Sequence, residues 1–174
     1  LFVVRPRICT PPVAPASVSA MPAAANQVNL SWTATSGANY QVQRAVGGCG
    51  LNAGPMQTIA SGLNAGSYVD TGASGGVLLG YRVQSFDAGG ACGLSATSAC
   101  VEVTATGTCN AAPRFNGVLS GASAGTSSCA ATLNWLPATA SCTDPLAYTI
   151  YRSTQSVFTP SAANAIAVVN GATG

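Results

Sequence analysis

The sequence predicts an all-β protein made of antiparallel β-sandwiches in tandem, stapled by disulfides. Three observations carry that prediction. Apolar and polar residues alternate with a period of two, and no stretch sustains a helical period. One pattern is written twice: Leu30-Ser31-Trp32 then Tyr40-Gln41-Val42-Gln43-Arg44, and Leu133-Asn134-Trp135 then Tyr148-Thr149-Ile150-Tyr151-Arg152. Seven cysteines stand in a chain of 174 residues of which only 6% are charged.

The two copies also open alike, with Cys9-Thr10-Pro11-Pro12 in one and Cys109-Asn110-Ala111-Ala112-Pro113 in the other. A repeat of this length marks tandem modules rather than one large domain. Within the first copy, strand A is expected at 14–19, B at 27–33 and C at 39–45. C′ follows at 56–60, E at 67–70, F at 77–86 and G at 99–105. In B, Val28, Leu30 and Trp32 face one way while Asn29 and Ser31 face the other. In C, Tyr40 and Val42 alternate with Gln41 and Gln43; in F, Leu79, Tyr81 and Val83 alternate with Gly80, Arg82 and Gln84. Glycine-rich turns such as Gly47-Gly48 and Gly89-Gly90 separate the runs, which is the punctuation of an antiparallel sandwich. Trp32, Tyr40 and Tyr81 are the expected core anchors, with Trp135 and Tyr148 as their counterparts. A buried tryptophan removes ~150–250 Å² from water, roughly 4–6 kcal/mol of gross burial.

These residues resemble a fibronectin type III domain. The likeness lies in Leu-x-Trp on B, Tyr-x-Val-x-Arg on C, Ser67-Tyr68-Val69-Asp70 on E and Tyr81-Arg82-Val83 on F. It is nearest to the cysteine-bearing tandem modules of secreted bacterial proteins. It covers residues 9–107 fully and 109–174 in part. The family's F-strand corner tyrosine falls at Leu79, so that hydrogen bond is expected to be absent, with a disulfide in its place. No Arg-Gly-Asp adhesive motif is present.

The repeat divides the chain into three parts. Residues 1–8 resemble the last strand of a preceding module or a linker. Residues 9–107 make a complete module, and 108–174 make a second that reaches C′ at about 165–169. Half a sandwich exposes its core-facing side and bare strand edges. Either the chain is a window on a longer polypeptide, or neighbouring subunits complete each other by strand addition.

Wide cysteine spacing and the absence of histidine speak for disulfides rather than zinc, and so for an oxidising compartment. Cys129 with Cys142 is the first expected bridge, because both flank strand B of the second copy. Cys49 with Cys92 is the second. Cys100 pairs with Cys109 in one scheme and with Cys9 in the other. Each scheme leaves an odd cysteine, and an intermolecular bridge is the third option.

The chain has no Lys and no His, six Arg and four acids: Asp70, Asp87, Glu102 and Asp144. A formal charge of +2 spread this thinly makes no stripe for nucleic acid, and no apolar run is long enough for a membrane span. A surface with so little self-repulsion tolerates close packing against copies of itself. Catalysis would need an acid–base pair or an activated nucleophile, and neither is evident. Asp70 and Asp87 could approach each other as a weak calcium site, against the plainer reading of solvated turn aspartates. Tyr151 and Phe158 could stack on sugars, against the plainer reading of packing at the core rim. Asn29-Leu30-Ser31 matches the N-glycosylation sequon.

The expectation is thus a non-enzymatic extracellular or cell-surface module, bacterial, with no cofactor and no metal. It acts as spacer, adhesion or assembly unit of a tandem array or fibre. Its partners are neighbouring modules or copies of itself through strand edges or faces, with surface glycan or protein as further candidates. The alternatives are an accessory region of a secreted hydrolase and, third, an enzyme in its own right.

Overall fold

The computed structural model describes residues 10–87, 89, 92–125 and 129–171. The chain divides into two compact units, one ending at Ala111 and the other beginning at Ala112. The expected strand in residues 1–8, and Cys9, lie outside the described residues.

Among the described residues unit 1 holds seven strands: β1 (Ser19–Pro22), β2 (Val28–Ser31), β3 (Ala38–Val46), β4 (Gln57–Leu63), β5 (Ser67–Asp70), β6 (Leu78–Asp87) and β7 (Val101–Thr104). They form two antiparallel sheets, ordered β1-β2-β5 and β4-β3-β6-β7. The alternation read from the sequence decides which side chains meet between them. Val28, Leu30, Trp32, Tyr40, Val42, Leu79, Tyr81 and Val83 are all buried and form one cluster. The polar alternates Asn29, Ser31, Gln41 and Gln43 point away from it.

The ladder of strand A forms at Ser19–Pro22, not at 14–19. Pro15 has no N–H to donate, and Ser17 takes a left-handed φ of 53° that breaks the strand. The segment before the kink still makes single contacts, where the Ser85 hydroxyl donates to the Val13 carbonyl and the Thr33 N–H to that of Ala16. Strand G also begins later than expected. Ahead of it, two buried serines replace ladder groups: Ser98 Oγ accepts from the Val83 N–H and Ser95 Oγ from that of Ser85.

The end of unit 1 is fixed by two polar side chains that sequence reading passed over. Asn26, left-handed at φ 60°, donates to the carbonyls of Ala73 and Thr108 and accepts from the Thr108 N–H. Ser74 Oγ, buried, accepts from the N–H groups of Asn110 and Ala111. The segment after Gly107 is therefore bound to unit 1. This is why the division falls after Ala111 rather than after residue 107.

Cys49 is bonded to Cys100, with the Cα atoms 6.0 Å apart. This corrects the expected Cys49–Cys92 bridge and both expected partners of Cys100, Cys109 and Cys9. The physical reason lies in Gly80. The loop at Gly47–Cys49 passes over β6 at that point, and a Cβ on Gly80 would stand 2.3 Å from the Gly48 carbonyl oxygen and 3.1 Å from Cys49 Sγ. With no side chain there, the loop crosses to the β7 side. Glu102 then accepts from the Cys49 N–H at 2.6 Å, next to Cys100. Cys129 is an exposed free thiol, which corrects the expected Cys129–Cys142 bridge. Its left-handed φ of 47° sits in the loop after β8, while Cys142 is disulfide-bonded, as are Cys92 and Cys109.

Unit 2 holds β8 (Val118–Ser123), β9 (Ala131–Trp135), β10 (Ala147–Tyr151) and β11 (Ala165–Asn170), with a short 3-10 turn at Ala162–Asn164. They pair as two antiparallel two-stranded sheets, β8-β9 and β10-β11.

Candidate functional site

Each unit builds the same aromatic corner from its own copy of the repeat. In unit 1 the Trp32 and Tyr40 rings meet edge to face at 5.4 Å, and the Tyr40 hydroxyl accepts from the Thr35 N–H. In unit 2 the Trp135 and Tyr148 rings lie 5.5 Å apart, and the Tyr148 hydroxyl accepts from the Ala138 N–H at 2.8 Å. Thr35 and Ala138 both stand three residues after the tryptophan. Each indole N–H is buried without an acceptor, so ring burial and edge packing hold these tryptophans.

Above the corner the units differ. In unit 1, β6 covers it with Leu79, Tyr81 and Val83, none more than 1% exposed. Beside them Asp70, the last residue of β5, ties the two sheets together. Its Oδ2 accepts from Arg44 Nη1 at 2.7 Å and from the Tyr81 hydroxyl at 2.7 Å, and its Oδ1 accepts from the Gly72 N–H. Arg44 also donates to the Gly72 carbonyl. Burial first, then the Asp70 carboxylate, pushes the Tyr81 phenol far above its ordinary range. Leu79 stands where the family's corner tyrosine was expected, and the tie between sheets is made two residues on. The disulfide instead joins the loop after β3 to the start of β7, inside one sheet.

In unit 2 the same face is open. An apolar groove of about 410 Å³ runs over Leu133, Trp135, Tyr148 and Ile150, with Phe115 and Phe158 at its sides. Phe115 packs edge-on against Tyr148 at 5.7 Å. Tyr151 and Phe158, the residues considered for sugar stacking, both line this groove. Arg152, the counterpart of Arg44, is exposed and makes no ion pair among the described residues.

The other candidates separate. Asp70 is bound to Arg44 and Tyr81, whereas Asp87 closes the far end of β6 opposite Ala38, so the two aspartates do not form a cation site. No group of three or more His, Cys, Asp or Glu able to hold a metal occurs among the described residues. No helix among them is long and apolar enough to cross a membrane.

Unit 1 is thus a disulfide-stapled antiparallel β-sandwich tied across its sheets by one buried carboxylate. Its strand order is A-B-E against C′-C-F-G, and residues 10–111 form a fibronectin type III-like domain. Solved structures similar to the chain carry the same designation. A Fn3-like protein from Clostridium thermocellum is 30% identical, over 54% of this chain and 93% of its own, with a TM-score of 0.45. A human fourth FNIII domain is 21% identical over 64% of this chain and 94% of its own, at 0.46. The FN1–FN3 domains of chicken CNTN1 are 14% identical over 94% of this chain and 55% of their own, at 0.46. No protein-family model and no curated protein matches the chain.

Proposed function

We propose that the chain is an extracellular structural segment, in which fibronectin type III-like modules in tandem act as spacer and assembly units of a surface protein or fibre. The observation that carries this reading is the repeated tryptophan–tyrosine corner, sealed in one unit and present with the same hydrogen bond in the next. Matching corners in successive units suit an array in which each module contributes length and stiffness rather than chemistry. The Cys49–Cys100 bridge supports an oxidising location. The use of charge supports a mechanical role. Asp70 and Arg44 are engaged with each other, and Glu102 holds the backbone of the loop that carries Cys49. A surface of Ser, Thr, Asn and Gln with little charge supports close contact with like modules.

Electron microscopy of the native full-length protein, isolated without reductant, tests this reading. Filaments or beaded strings with a regular axial repeat are expected. Isolated compact particles with no repeat would overturn it.

A further inference from the structure

The outward face of the four-stranded sheet of unit 1 holds a pocket of about 230 Å³, lined by Gln41, Ser61, Phe86, Gly93 and Leu94. Alternation puts Gln41, Gln84 and Phe86 on this face, because Tyr40, Val42 and Val83 fill the core on the other. Gln41 stands opposite Gln84, and Asn39 opposite Phe86. On the other side of β3 the pairing with β4 shifts register. Tyr40 meets Leu63 and Val42 meets Ala60, so Ser61 and Gly62 together face Gln41. Gly62 takes a φ of 75° there. A bulge of this kind bends an edge strand and re-aims its side chains, and Ser61 thereby joins the pocket. Beyond β6 the chain folds back: Leu94 bridges to Phe86, and the Ser95 N–H bonds the Ser85 carbonyl. A row of hydrogen bonds then fixes what Gln41 offers. A backbone carbonyl only accepts, so Gln84 turns its Nε2 to the Ser95 carbonyl, at 2.9 Å. Its Oε1 is left for Gln41, whose Nε2 donates to it at 2.8 Å. The Gln41 carbonyl oxygen is the open end of this row. Neither it nor the Ser61 hydroxyl has a hydrogen-bond partner among the described residues.

We propose that this pocket binds one ring of a neutral saccharide, with an apolar C–H face of the pyranose on Phe86 and Leu94 and its hydroxyls on Gln41 and Ser61. The site goes beyond the spacer reading and does not depend on it. A pyranose has apolar faces and a rim of groups that both donate and accept. The pocket offers the complement: a half-buried phenyl ring and a half-exposed leucine, an amide with its acceptor fixed, and a hydroxyl. Other occupants fit less well. No charged side chain lines the pocket, so an anion or cation gains no ion pair there. A purely apolar molecule would take the Gln41 oxygen and the Ser61 hydroxyl out of water without replacing their hydrogen bonds. A protein strand added along β4 would lose ladder bonds at the Ser61–Gly62 bulge.

Saturation-transfer NMR on the 174-residue chain tests this with four probes: cellohexaose, xylohexaose, a mannose-rich glycopeptide and the anionic oligogalacturonate. At least one of the three neutral probes is expected to bind, and the anionic one not to. Binding of either hexasaccharide assigns the site to free polysaccharide, and binding of the glycopeptide alone assigns it to protein-linked glycan. Phe86→Ala should weaken the bound probe by about tenfold. Gln41→Leu and Ser61→Ala should each weaken it by about threefold to tenfold, the loss of one hydrogen bond. Ser61 is exposed on an edge strand, so Ser61→Ala should leave urea unfolding of unit 1 unchanged, which keeps the test valid if Phe86→Ala fails to fold. Binding of none of the neutral probes would overturn the proposal, as would equal binding of oligogalacturonate. So would binding that Gln41→Leu and Ser61→Ala both leave unchanged. Regular filaments without saccharide binding would remove this inference and leave the spacer reading standing. Saccharide binding that depends on Gln41 and Ser61, by particles without any repeat, would do the reverse.

Discussion

In unit 1 the tryptophan–tyrosine corner lies under β6, with Tyr40 1% exposed; in unit 2 the same corner lines an open groove, with Phe115 and Val118 about half exposed beside it. Both corners nevertheless keep the same ring separation and the same hydrogen bond. The corner is therefore a local structure. It is made by residues a short way apart in the chain, and in unit 2 it forms beside only β8, β9, β10 and β11 among the described residues. Sealing is a separate event, made by strands far along the chain that bring both apolar cover and the Asp70 carboxylate. The contrast separates what a hairpin-scale segment can do from what a closed sandwich adds.

The largest test of that contrast is the pair Trp32→Ala and Trp135→Ala in the 174-residue chain. Loss of a sealed tryptophan costs about 3–5 kcal/mol, because the ring leaves a cavity that its neighbours cannot fill. Trp135 is nearly as buried, at 9% exposure against 6% for Trp32, but it borders the open groove, so its loss should cost less. Urea unfolding followed for each unit would show it, and equal losses would mean that unit 2 is sealed in solution.

A second comparison sets Cys49 and Cys100 against Cys129. The bridge closes a loop with a sequence separation of 51, worth about 4 kcal/mol in the chain-entropy account. Replacing both cysteines by serine should lower the unfolding free energy of unit 1 by about that amount, read from urea unfolding. Alkylating Cys129 should change stability by about 0.5 kcal/mol or less, as for other exposed sites. A large loss on alkylation would show that Cys129 is engaged.

The smallest effect sharpens the role of the buried tie between the sheets. Unfolded, Tyr81 loses its proton near pH 10.0; folded, burial and the Asp70 carboxylate hold the proton to far higher pH. Its contribution to stability is complete below that unfolded value. It then falls by about 1.4 kcal/mol per pH unit as pH rises above it, because only the unfolded state releases the proton. Tyr81→Phe should flatten this alkaline limb. Unchanged slopes would show that the phenol is not held as the structure places it.

The strands of unit 1 were legible because alternation alone assigns faces: β2, β3, β5 and β6 lie within a residue or two of where Leu30, Tyr40, Tyr68 and Tyr81 put them. The aromatic anchors were legible for the same reason. Strand A was displaced because Pro15 and Ser17 act through hydrogen-bond supply and backbone angle, which alternation does not register. The clamps Asn26 and Ser74 were not legible. A polar residue in a turn carries no sign of the distant backbone it will hold. The cysteine pairing was misread for a related reason. Position around strand B suggested Cys129–Cys142, the repeat suggested Cys109 or Cys9 for Cys100, and Cys49–Cys92 was the pair left over, whereas the Cys49–Cys100 bridge depends on a loop crossing β6 where Gly80 leaves room.

The sequence by itself determined the period-two strands, the repeated corner and the low charge of the surface, because each follows from residue type and short-range order. Only the tertiary structure decided which thiol stayed free, which carboxylate was buried and which copy of the corner stayed open. Those outcomes depend on groups far apart in the chain meeting at hydrogen-bond and bonding distance, and such meetings are set by packing rather than by spacing.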